Sequence, residues 1–73
     1  MAKIEVNSEV TGIVWKIQAK VGDVLAEEDV IMILESMKME IPVVALVAGK
    51  LVELLVAEED RVDEDQVVAV IEN

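Results

Sequence analysis

Sliding the chain along itself by 37 positions lays Gly12 to Ser36 on Gly49 to Asn73 without a gap. Identities fall at Gly12/Gly49, Asp23/Asp60, Glu27/Glu64, Val30/Val67 and Glu35/Glu72. Apolar residues face apolar residues at Val14/Leu51, Trp15/Val52, Ile17/Leu54, Ala19/Val56, Leu25/Val62, Ile31/Val68, Ile33/Val70 and Leu34/Ile71. A repeat of this kind constrains the fold more than any motif does. Both halves must take up one local structure, and each exposes an apolar face that only the other can cover.

Within each half the periodicity is that of strands. Ile13, Trp15, Ile17 and Ala19 alternate with Val14, Lys16, Gln18 and Lys20, a period of two that indicates a half-buried strand with the first set on one face. Lys20-Val21-Gly22-Asp23 follows as a turn in which glycine supplies the positive φ. Val24-Leu25 is a short strand, Ala26 to Asp29 a polar turn, and Val30 to Glu35 a longer strand apolar on both faces. The second half repeats the series as Lys50 to Val56, Ala57 to Asp60, Arg61-Val62, Asp63 to Gln66 and Val67 to Glu72. Ile4 to Val6 and Met39 to Val44 complete the set, Pro42 placing the latter at an edge or a bulge. Val43 to Ala57 could mimic an amphipathic helix, but its β-branched residues, Gly49 and its match to the first half oppose that. The expectation is an all-β domain over residues 1–73, quasi-two-fold, closed as a flattened barrel or sandwich that removes most unpaired edges.

Composition narrows the function. The 73 residues contain no cysteine, no histidine and one tryptophan as the sole aromatic residue. Disulfides, thiolate metal sites, imidazole bases and histidine metal ligands are therefore excluded, and a freestanding enzyme is not expected. Sixteen acidic against 6 basic residues give a net charge of −10, which repels phosphate and argues against nucleic acid as a partner. The start has no apolar signal core, and the longest charge-free stretch, Ile41 to Gly49, is far short of a bilayer span. A soluble, cytoplasmic chain without a membrane partner is expected, monomeric in isolation, its charge keeping a 55% hydrophobic composition in solution. Whether the chain is a free subunit or the excised end of a longer one stays open, an initiating methionine and a short tail pointing to the former as an expectation.

The repeat leaves the joint between the halves unexplained. Glu35-Ser36-Met37-Lys38-Met39-Glu40 is nearly palindromic about Met37-Lys38, with Leu34 and Ile41 extending the mirror, as in a two-residue hairpin. Hairpin turns of the favoured primed types need φ > 0 at both central residues and select Asn-Gly or Asp-Gly. Met-Lys breaks that rule. Glu35 and Glu40 become cross-strand neighbours of like charge, a cost of up to about 1 kcal/mol. Singly, the methionines could be core fillers and the lysine one of several surface lysines; together, at a tip they do not suit, they mark a functional site.

Glu-Ser-Met-Lys-Met-Glu resembles the attachment motif of biotinyl domains, the biotin carboxyl carrier modules of biotin-dependent carboxylases. The resemblance covers essentially the whole chain: its length, the two-half repeat, Gly12, the Val21-Gly22-Asp23 turn and the central hairpin. It implies a barrel-sandwich hybrid of two four-stranded antiparallel sheets. It implies biotin joined by an amide to Lys38, with Met37 and Met39 read by biotin–protein ligase and Glu35, Ser36 and Glu40 completing the motif. It further implies transfer of carboxylate between biotin carboxylase and carboxyltransferase sites on other chains or domains, with no catalytic and no metal-binding residue in this one. A free lysine amine is neutral in about one molecule in 2,500 at pH 7, so the ligase is expected to supply both activated biotin and the deprotonating environment. Excess negative charge would steer the carrier onto basic partner surfaces.

Departures from the family pattern are Glu28, Glu59 and Asp65 where turn glycines are usual, Ser8-Glu9-Val10-Thr11 in place of a proline-rich approach to Gly12, and Leu46 where a polar residue is common. No insertion provides the protruding thumb of some bacterial carriers. A lipoyl domain shares the fold and uses a hairpin lysine, but there aspartate typically precedes it; methionine on both sides of Lys38 favours biotin. An unmodified structural or adaptor domain of the same fold is the rival of another class. Finally, the repeat places Ser36 on Asn73 and Met39 on Ala2, so the termini should lie together at the end away from Lys38.

Overall fold

The computed structural model describes residues 2–73. Eight strands follow one another: β1 (Lys3–Asn7), β2 (Gly12–Ile17), β3 (Val24–Leu25), β4 (Val30–Ser36), β5 (Met39–Val44), β6 (Gly49–Leu54), β7 (Arg61–Val62) and β8 (Val67–Glu72). There is no helix among the described residues, as the Val-rich, period-two pattern requires. Two four-stranded antiparallel sheets form, ordered β1-β8-β6-β3 and β5-β4-β2-β7. This is the flattened sandwich expected, and Pro42 sits on the edge strand β5, where its missing N–H costs no ladder bond.

The internal two-fold holds residue by residue. Val14↔Leu34 and Lys16↔Ile33 in β2/β4 are matched by Leu51↔Ile71 and Glu53↔Val70 in β6/β8. Val24↔Lys50 in β3/β6 is matched by Ile13↔Arg61 in β2/β7. The hairpin pair Glu35↔Glu40 corresponds to Glu72↔Lys3. Past the last pair, Ala2 and Asn73 exchange backbone hydrogen bonds of 3.2 and 3.0 Å in the place that Ser36 and Met39 take at the hairpin. The paired termini are thus the open-ended counterpart of the hairpin.

The core is built from the same mates. Val14/Leu51, Leu34/Ile71, Ile31/Val68, Met32/Ala69, Leu25/Val62 and Val6/Val43 are all buried. Each large aliphatic side chain so covered contributes about 1.5–3 kcal/mol. Ser8 is the buried polar residue, and its hydroxyl is satisfied by donating to the Val10 carbonyl.

The structure corrects one expectation about faces. Trp15 and Ile13 do not point inward with Ile17 and Ala19; they are 47% and 43% exposed, and the fully covered side chain is Val14. The register slips between Val14 and Lys16, so Trp15 is the extra residue of a β-bulge. One inserted residue lets Val14 and Ile17, three apart, share the core side. The strand also ends at Ile17, because the N–H groups of Gln18 and Ala19 both turn to the Ile31 carbonyl, at 2.8 and 3.1 Å.

Four turns share one design. Asp23, Asp29 and Asp60 each accept a hydrogen bond on a side-chain oxygen from the backbone N–H three residues earlier, at 2.9 Å, and Gln66 does the same with Oε1. The residue just before each of them has positive φ: Gly22 at 102°, Glu28 at 75°, Glu59 at 76° and Asp65 at 70°. Glycine is present at one of the four.

Candidate functional site

β4 and β5 run straight into each other through Met37 and Lys38. Ser36↔Met39 and Glu35↔Glu40 are the last paired residues, and the two between them have φ of 51° and 65°. Both central residues are left-handed, the signature of a type I′ turn, which matches the twist of the strands it joins. For side chains other than glycine this conformation costs roughly 1–2 kcal/mol per residue. The cost persists because the flanking ladder determines the turn.

All six residues that the motif singled out come together in this hairpin. Lys38 stands exposed at the apex, and no carboxylate lies within ion-pair distance of it among the described residues. Met37 is 92% exposed and Met39 63%, so neither methionine fills the core. Glu35 and Glu40 face each other in direct register on the outer side of the sheet, both exposed. Ser36 anchors the stem: its hydroxyl donates to the Thr11 carbonyl at 2.8 Å.

Two further residues support the stem, of which only one is legible in the sequence. Thr11 holds the stem through its carbonyl and, through Oγ1, accepts the Glu64 N–H at 3.1 Å. A backbone acceptor leaves no trace in residue identity. Gly12 does leave one: a Cβ built there would lie 2.6 Å from the Glu35 carbonyl oxygen, so only glycine lets β2 close on β4 beneath the hairpin. Its mate Gly49 has the same relation, at 2.7 Å, to the Glu72 carbonyl.

The site is an amine on a rigid post. Nothing encloses the amine, and no cluster of residues able to hold a metal ion is found among the described residues. Such an arrangement is suited to presenting Lys38 to another protein. Exposed methionines beside it are adaptable apolar contacts for whatever engages the tip.

Comparison with known proteins matches residues 5–71 to the biotin/lipoyl family model described as "Biotin-requiring enzyme". The chain is 40% identical over 68 residues to a biotin/lipoyl attachment protein of Bacillus subtilis, covering 93% of each. It is 39% identical over 67 residues to the biotinylated protein TB7.3 homolog of Mycobacterium leprae, covering 92% of this chain and 94% of that one. Among solved structures, the Kluyveromyces lactis urea carboxylase superposes with a TM-score of 0.93 at 38% identity, over 99% of this chain but only 6% of the carboxylase. A long-chain acyl-CoA carboxylase at 24% identity and a TM-score of 0.87 shares the fold. With the family model spanning residues 5–71 and a relative 40% identical over 93% of each chain, the chain belongs to the biotin/lipoyl attachment family of biotin-requiring enzymes.

Proposed function

We propose that Lys38 is the residue biotinylated by biotin–protein ligase and that the chain acts as a biotin carboxyl carrier without catalytic groups of its own. The observation that carries this is the Met37-Lys38 apex: a strained turn that lifts one amine clear of the sheet between two exposed methionines. Fit favours the group as well. The amine has no competing ion-pair partner among the described residues, and nothing packs over the tip that acylation would displace. When bound, biotin supplies a ureido nitrogen that takes up and gives up carboxylate.

The chain's own residues do the positioning. The β4–β5 ladder and the Ser36–Thr11 hydrogen bond hold the stem, so the lysine side chain is the flexible element. Tethering raises the effective concentration of the attached group at each partner site into the millimolar range for short linkers, with no tight docking needed. The likeness to a urea carboxylase and to named biotinylated proteins supports biotin carboxylase and carboxyltransferase components as partners. The unneutralised negative surface supports steering toward basic faces on them.

Co-expression with a biotin–protein ligase followed by intact-mass measurement tests the reading. The expected result is a gain of one biotinyl group that maps to Lys38 and is absent from Lys38→Arg. A lipoyl gain, a gain at another lysine, or no gain would overturn it.

A further inference from the structure

A groove opens on the outer face of the sheet beside the hairpin stem, lined by Ile13, Val14, Trp15, Glu35, Glu58 and Glu59. Its floor is the exposed bulge residue Trp15 and half-exposed Ile13; its walls are carboxylates. Glu58 is held in place, since its Oε2 accepts the Ile17 N–H at 3.1 Å, leaving its other oxygen open. The internal two-fold provides a control. At the far end the corresponding positions are Lys50, Leu51, Val52, Glu72, Val21 and Gly22, so the same backbone there has neither the aromatic floor nor the two carboxylates that β2 faces. The groove is therefore not a by-product of the fold. Among the described residues this lining occurs at the end that carries Lys38 and not at its two-fold mate.

It also lies within reach. Glu35 pairs with Ile13 across β4 and β2, and Trp15 follows two residues on. At about 3.4 Å per residue and 4.8 Å between strands, Trp15 is on the order of 12 Å from the apex. A lysine side chain extended by a valeryl chain spans about 14 Å, counting bonds of about 1.5 Å at tetrahedral angles.

We propose that the biotin carried on Lys38 has a resting site in this groove, its bicyclic ring on Trp15 and its ureido N–H groups donating to Glu35 and Glu58. The inference rests on the reading of Lys38 as the biotinylated residue. The chemistry is complementary: the ring's apolar face covers exposed indole, and a pair of N–H donors suits carboxylate oxygens that no cation among the described residues occupies. The tether makes weak binding sufficient. With an effective concentration in the millimolar range, an intrinsic Kd of about 1 mM seats half or more of the arms. The same weakness lets a partner withdraw the ring.

Trp15 is the sole aromatic residue, so its fluorescence reports the groove alone. The test compares the biotinylated chain, verified by mass, with Lys38→Arg in acrylamide quenching, and follows backbone amide shifts in both. Seating half the arms lowers the quenching constant about twofold, with amide shifts at Ile13 to Trp15 and at Glu58 and Glu59. Glu35→Gln with Glu58→Gln in the biotinylated chain returns the quenching most of the way. Equal quenching in the two chains, with shifts confined to residues 36–39, overturns the resting site while leaving Lys38 as the carrier. If mass shows no biotin on Lys38, the carrier reading fails and takes this one with it.

Discussion

Away from the Met37-Lys38 hairpin, three left-handed turn residues that are not glycine make the fold less stable than its own plan allows. Glu28, Glu59 and Asp65 have φ of 75°, 76° and 70°, and their side chains accept and donate no hydrogen bond among the described residues. Left-handed backbone costs an L-residue roughly 1–2 kcal/mol, against about 0.5–1 kcal/mol of unfolded-state entropy that glycine adds. Each replacement by glycine should therefore gain about 0.5–1 kcal/mol. Each of the three turns closes through its own hydrogen bonds, at Asp29, Asp60 and Gln66, so the gains should add to about 1.5–3 kcal/mol. For a chain of this size that raises Tm by about 10–20 °C.

The variant Glu28→Gly/Glu59→Gly/Asp65→Gly, followed by thermal and urea unfolding, measures the sum. It also removes three of the 16 acidic residues, so the triple alanine variant, which loses the charges but keeps a Cβ, is the necessary companion. The glycine form should exceed it by at least half of the total gain. Gly22 supplies the reverse experiment. Its φ is 102° and a Cβ there would touch nothing within 4 Å, so Gly22→Ala isolates the backbone effect and should cost about 1 kcal/mol. If the glycine triple is no more stable than the alanine triple, or Gly22→Ala is neutral, strain at these turns is not what limits the fold.

Four further outcomes are expected. Gly12→Ala drives a Cβ to 2.6 Å from the Glu35 carbonyl and should destabilise by about 1–3 kcal/mol; Gly49→Ala, checked in the same urea titrations, should cost a similar amount. Glu40→Lys turns the Glu35↔Glu40 pair into the opposite-charge pair that Lys3↔Glu72 forms at the other end, and should raise the urea midpoint by the equivalent of about 0.5–1 kcal/mol, a gain that 1 M salt removes. Met37→Ser, at a position 92% exposed, should leave stability within about 0.5 kcal/mol of the parent while slowing biotinylation by a ligase. Leu51→Ala, in the buried core, should cost about 2–5 kcal/mol, seen as a broad, early melt by circular dichroism.

Much of this molecule could be read from residue identity because the repeat supplied long-range information that a single strand pattern lacks. Matching Asp23 to Asp60 located two turns at once, and matching Ser36 to Asn73 located the termini. What escaped was whatever depends on one inserted residue or on backbone groups. Alternation from Ile13 to Ala19 looks unbroken, yet the bulge at Trp15 reverses its phase, and no residue preference signals a bulge so placed. The palindrome about Met37-Lys38 identified the hairpin, while the Thr11 carbonyl that steadies it has no counterpart in the alphabet of side chains.

The two-fold also separates what the fold needs from what it does not. One lateral row of sheet residues reads Val24, Lys50, Glu72, Lys3, and its mate reads Arg61, Ile13, Glu35, Glu40. The backbone and register are the same, so stability alone would favour the same solution at both ends. At the termini, lysines alternate with a glutamate; under the hairpin, two glutamates stand side by side next to an exposed isoleucine. Like charges in direct register lower stability, and an exposed apolar neighbour does not offset that. The like-charge pair therefore falls at the end that holds up Lys38, in a place where folding stability alone does not account for it.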